Sequence, residues 1–143
     1  MNIDVHEMKL RILGEFDDKD MENVFSTLNA VINPSGNLSE LATFCAALTE
    51  LVVSDVVVLG FEKKSFEPEA ILDRDGSLDL VARLPAWFKF DQERKIWNRS
   101  GGAFRVDPTP FVMLTDTGMD KALEVRKRFA FRWWEKAGSA DKP

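Results

Sequence analysis

The sequence predicts an α+β fold, a single helix-dominated domain that carries one β-hairpin. Three observations predict it. Apolar residues recur at helical spacing through residues 20–32 and again from Leu38 to Val52. The texture then changes to two strand-prone arms around "NRSGG" in the second half. Finally, 143 residues with 45% hydrophobic content fill one core and leave no room for a second full domain. The chain divides into an N-terminal segment, 1–16, one globular domain, 17–137, and a tail at 138–143 that is expected to fray.

Taken in order, Met21, Val24, Phe25, Leu28, Val31 and Ile32 share one helical face, and "NPSG" at 33–36 ends that run. Asn37 opens the next helix as an N-cap, with Glu40 placed to reach back in a variant of the capping box. Leu38, Leu41, Cys45, Leu48 and Val52 form its apolar stripe. The β-branched run Val56, Val57, Val58 fits either a continued helix or a buried strand, because periodicity alone does not separate them.

Residues 62–77 read as a loop with one brief element. Leu78, Val81 and Leu84 share a helical face that Pro85 closes. "ERKIWNRSGGAFRV" gives the hairpin, residues 94–106, and "PTPFVML" an extended stretch up to Thr115. Asp116 or Thr117 opens a last helix, whose apolar side is Ala122, Val125, Phe129, Trp133 and Trp134.

Several function classes drop out on composition. No stretch reaches the roughly 20 apolar residues of a membrane span. The densest run, Leu48 to Phe61, is broken by Glu50, Ser54 and Asp55. The N-terminus has neither a basic n-region nor an apolar h-region, so an intracellular, cytoplasmic protein is expected. Cys45 is the sole cysteine and His6 the sole histidine. An internal disulfide, a histidine metal cluster and a triad with a second histidine are thereby excluded, and no cofactor is called for. The net charge of -5 hides an asymmetry: residues 1–80 carry 16 acidic against 6 basic side chains, whereas residues 81–143 carry 8 against 13. A basic second half suits attraction to the acidic half or to an acidic partner.

"ILDRDGSLDL", residues 71–80, sets Asp73 and Asp75 two apart ahead of Gly76 and Ser77, and "FVMLT", 111–115, is an apolar strand ending in threonine. The pair resembles the haloacid dehalogenase superfamily. That resemblance implies a nucleophilic first aspartate, an acid-base second one and a magnesium ion. No Asp-Asp pair after an apolar strand follows Thr115 to complete such a metal site, so the expected role of Asp73 to Ser77 is an Asx or type I turn.

"LTDTGMDKALEV", residues 114–125, resembles the strand-to-final-helix junction of winged helix-turn-helix domains, and "LSELATF" resembles the second helix of that fold. The resemblance implies a divergent winged-helix architecture, in which final helices often build dimers. DNA reading by the helix pair is not expected, since no Lys or Arg occurs from Asn23 through Glu62.

Two surfaces are candidates. "FAFRWWEK" puts aromatic and basic side chains together, the composition of an interaction hot spot. Arg128, Phe131, Arg132, Trp133 and Trp134 are therefore the expected site of a non-enzymatic protein-binding or self-associating module. The alternative is a nucleic-acid-binding regulator using Arg94, Lys95, Trp97, Arg99 and Arg105 of the hairpin, with Trp97 stacking on bases. A degenerate phosphatase-like fragment comes third.

Overall fold

A computed structural model describes residues 3–17, 19–64, 67–100 and 108–135. The chain is α+β. Its first helix, α1 (Val5–Gly14), is capped by Asp4, whose carboxylate accepts from the Glu7 amide at 2.8 Å. Met8, Ile12 and Phe16, spaced four apart, are fully buried in the common core. Residues 3–16 therefore contribute to the same core as the described residues that follow them. The reason is a helical stripe long enough to bury a face on its own.

A short strand, β1 (Met21–Asn23), precedes α2 (Val24–Val31). The helix starts later than the expected residue 20 because Met21, Glu22 and Asn23 pair with Met113, Val112 and Phe111. Asn23 then caps α2, accepting from the Phe25 and Ser26 amides. Helix α3 (Leu38–Val53) starts as expected at Asn37, which accepts from Ser39. Its buried face is Leu41, Phe44, Ala47, Leu48, Leu51 and Val52; Leu38 and Cys45, expected in the stripe, are not on it.

Beyond Asp55, which turns the chain with φ +62°, the valine run is a strand, β2 (Val57–Lys64). The expected loop at 62–77 is instead the end of β2, β3 (Glu67–Ile71) and the start of α4 (Arg74–Arg83). Leu84–Trp87 is a 3₁₀ turn begun by Pro85. The hairpin lies earlier than expected. Strand β5 (Ile96–Arg99) is the first predicted arm, but it pairs backwards with β4 (Phe88–Asp91). Asp91 sets that turn by accepting from the Glu93 and Arg94 amides, and Lys95 adopts φ +57°. The second predicted arm, with Arg105, lies outside the described residues.

Strand β6 (Thr109–Leu114) runs between β1 and β2, giving the antiparallel order β1-β6-β2-β3. Thr115 caps the last helix, α5 (Asp116–Arg128), accepting from the Gly118 amide at 3.0 Å. Gly118 sits so close to β2 that a Cβ there would lie 1.9 Å from the Val56 carbonyl oxygen. The glycine of "LTDTG" is thus required by the approach of helix to strand. Among the described residues no helix is long and apolar enough to cross a membrane.

Candidate functional site

Helix α5 ends at Arg128, short of the aromatic cluster, because Phe129 is extended and Arg132 has φ +50°. The segment folds back onto α1. Trp133 lies on Gly14, where a Cβ would meet the ring at 3.1 Å, and stacks on Phe129 with centroids 4.5 Å apart. Trp134 is 8% exposed and donates its indole N–H to the Ala30 carbonyl at 3.1 Å. The Arg11 guanidinium covers that indole at 5.4 Å. Arg132 forms a two-point contact with buried Glu15, at 3.0 and 2.9 Å, and those hydrogen bonds raise its pKa further. Of the five residues expected to bind a partner, three are therefore engaged inside the chain. Arg128 and Phe131 remain on the surface, Phe131 55% exposed.

The hairpin set divides in the same way. Trp97 is 3% exposed, so it does not present a ring to bases. Its indole N–H donates to Glu40 at 3.0 Å, and its backbone exchanges two 2.8 Å hydrogen bonds with the Asn29 side chain. Glu40, 1% exposed, also accepts from the Ser35 amide and hydroxyl and the Gly36 amide. Its carboxylate thus ties the α2–α3 turn to β5 where the capping box would have bonded Asn37. Arg99 lies over the Trp87 ring at 4.9 Å and donates to the Pro108 carbonyl. Arg94 and Lys95 stand exposed on the β4–β5 turn.

The phosphatase-like residues are structural. Asp73 caps α4 by accepting from Gly76 at 2.8 Å, and buried Ser77 accepts from the Leu59 amide at 2.9 Å. The threonine of "FVMLT" is the cap of α5. Among the described residues no three His, Cys, Asp or Glu side chains group as metal ligands. A cleft of about 610 Å³ beside α1 is lined by Asp4, Glu7, Arg11 and Asn33, and Arg11 there is held by Glu7 and the Val31 carbonyl.

The surface that sequence reasoning missed is the outer face of α3. Leu38 is 73% exposed and Val53 48%. Between them Ala42 and Thr49 are exposed, and Cys45 and Ala46 half-buried. Helical geometry places these six within about 100° of arc over roughly 22 Å. Thr49 donates its hydroxyl to the Cys45 carbonyl, so its polar group serves the helix itself. Burial pushes the Cys45 thiol up to about 11, which removes it as a nucleophile at neutral pH. Glu50, beside the stripe on the same helix, is paired with Lys9 of α1 at 2.9 Å. By contrast, the exposed Met119 and Leu123 of α5 stand among Asp120, Lys121, Glu124 and Lys127. A signal for the α3 face was present in the sequence: a helix apolar on both sides is either buried all round or covered by something else. Compared with family models, curated proteins and solved structures, the chain matches none of them.

Proposed function

We propose that the chain is a non-enzymatic, cytoplasmic protein-binding module of winged-helix-like architecture, and that the outer face of α3 is its docking surface. The observation that carries this reading is the uncharged stripe from Leu38 to Val53, apolar except for a threonine whose hydroxyl is bonded to the Cys45 carbonyl of the same helix. Apolar surface of this kind is what docking sites on folded domains are built from. The order α1, β1, α2, α3, then β2 paired with β6 ahead of α5, supports the architecture, with residues 67–99 inserted where a wing would lie. A lone cysteine with no possible partner in the chain fits a reducing compartment. The absence of Lys and Arg from Asn23 through Glu62 argues for a protein rather than a nucleic acid against α3.

The test is retention on the immobilised full chain, with and without nuclease, for the wild type, Leu38→Glu and the pair Arg94→Gln with Lys95→Gln. The expected result is a protein retained in the presence of nuclease and lost with Leu38→Glu. Retention abolished by nuclease, or by the Arg94 and Lys95 changes, would overturn the reading in favour of a nucleic-acid-binding regulator.

A further inference from the structure

We infer that residues 129–135 are a latch that two copies of the chain exchange, each seating Arg132, Trp133 and Trp134 on the ends of α1 and α2 of the other. The exchange does not involve the outer face of α3. The seat is made of groups that the rest of the domain leaves unsatisfied. Ala30 lies at the end of α2, where its carbonyl would ordinarily accept from the amide four residues on; that residue is Pro34, which has none. Trp134 supplies the missing donor at 3.1 Å. Glu15, 8% exposed, receives the Arg132 guanidinium through two hydrogen bonds, and Gly14 leaves room for the Trp133 ring. These contacts run to α1 and α2 rather than to α5, the helix that carries the latch. The same seat on a second copy makes them equally well.

The hinge decides which seat is filled. Helix α5 stops at Arg128 without a local cause, since no glycine or proline occurs from Met119 through Glu135 and the apolar spacing of Ala122 and Val125 continues to Phe129 and Trp133. The stop consists of Phe129 in extended conformation, held there by the latch contacts beyond it. Once those contacts release, helix through 129–135 carries the latch about 10 Å past Arg128 and away from its own seat. An open chain then holds a buried carboxylate without its cation, a helix carbonyl without a donor, and the guanidinium and indole that fit them. Both deficits are met together by a second open copy, twice over about a two-fold axis. Closure within one chain remains favoured, because a short tether keeps the latch at an effective concentration in the millimolar range; at about 100 µM, roughly a tenth of the chains exchange.

The test is charge reversal in trans, read by sedimentation of full chains refolded together at about 100 µM. Glu15→Arg and Arg132→Glu each set like charges against one another at the latch, and each alone is expected to lose the minor dimer of the wild type. Refolded as an equal mixture, the two are expected to form a one-to-one heterodimer, at least about fivefold more abundant than the wild-type dimer, because only exchange matches both latches. A chain carrying both changes matches its own latch and is expected to behave like the wild type. Deletion of Ala130 keeps every latch residue and shortens the hinge; it is expected to turn the monomer into a dimer, and it carries the test if the reversed chains do not fold. A mixture of folded reversed chains without heterodimer would overturn the inference, as would an Ala130 deletion as monomeric as the wild type. A dimer abolished by Leu38→Glu would overturn it too, and would assign self-association to α3.

Discussion

The segment from Phe129 to Glu135 holds four aromatic rings and exposes one of them, Phe131; the outer face of α3 holds no ring and leaves its apolar side chains in contact with solvent. The difference follows from what each stretch finds within its own chain. Trp134 finds the Ala30 carbonyl for its N–H and Arg11 for its face, while Trp133 finds the space that Gly14 leaves open. A large ring whose polar atom is satisfied gains most by moving inside. Helix α3 already buries Leu41, Phe44, Leu48 and Leu51 against α1, α4 and β2, and among the described residues its far side keeps Leu38 and Val53 exposed. The aromatic content of the C-terminal segment therefore serves the domain's own packing, while the small apolar residues of α3 are left outside it.

The sharpest way to break this comparison is to remove Trp134. Trp134→Ala is expected to cost about 3–5 kcal/mol, the usual range for a large ring deleted from a core, read from urea denaturation. A loss below about 1 kcal/mol would place the ring at the surface and return it to the set of candidate binding residues. Next in size is Arg132→Ala, which leaves Glu15 buried without its cation. Because the guanidinium is more than a third exposed, solvent screens the pair, and about 1–2 kcal/mol is expected rather than the 3–5 of a fully buried one. An unchanged midpoint would mean that the aromatic contacts alone hold the segment down.

These contacts also explain what was legible in the sequence. The helices at α2, α3 and α5, the strand β6 and the cap Asn37 were readable because each is fixed by local signals: periodicity, a capping side chain, a turn. The failures are tertiary. Nothing local announces that Phe129 is extended, since "RKRFAFRWW" keeps helical spacing; the bonds from Arg132 to Glu15 and from Trp134 to Ala30 override it. The hairpin was misplaced because its turn uses Lys95 at positive φ, a position where glycine or asparagine is the usual signal, while a real "SGG" stood close by. The apolar outer face of α3 was not legible because Leu38 and Cys45 keep helical spacing with Leu41, Leu48 and Val52, while the buried centre runs through Phe44 and Leu51.

A smaller effect probes the ground beneath the C-terminal segment. Burial raises the pKa of Glu22, with the Glu15 and Glu62 carboxylates adding to it and Lys19 and Arg132 opposing. A carboxyl group whose folded pKa lies above its unfolded value binds more protons in the folded state between the two. Stability then falls as pH rises through that window, and the deficit is complete above the folded pKa. Glu22→Gln is accordingly expected to raise the melting temperature slightly at pH 7 and to leave it unchanged at pH 3, where wild-type Glu22 is protonated in both states. A variant less stable than wild type at pH 7 would mean that the Lys19 and Arg132 attractions outweigh burial.

The smallest expected change in stability is the most informative one. Leu38→Ser alters a side chain that is 73% exposed, so folding should shift by no more than about 0.5 kcal/mol. The same substitution removes the most exposed apolar side chain of the proposed docking surface. Stability and association are thus expected to separate at Leu38. At Trp134 a change acts first on the fold, and any loss of association follows from unfolding. A Leu38→Ser chain that melts several degrees below wild type at concentrations where wild type is monomeric would show that this leucine packs within its own domain, and the contrast between the two regions would collapse.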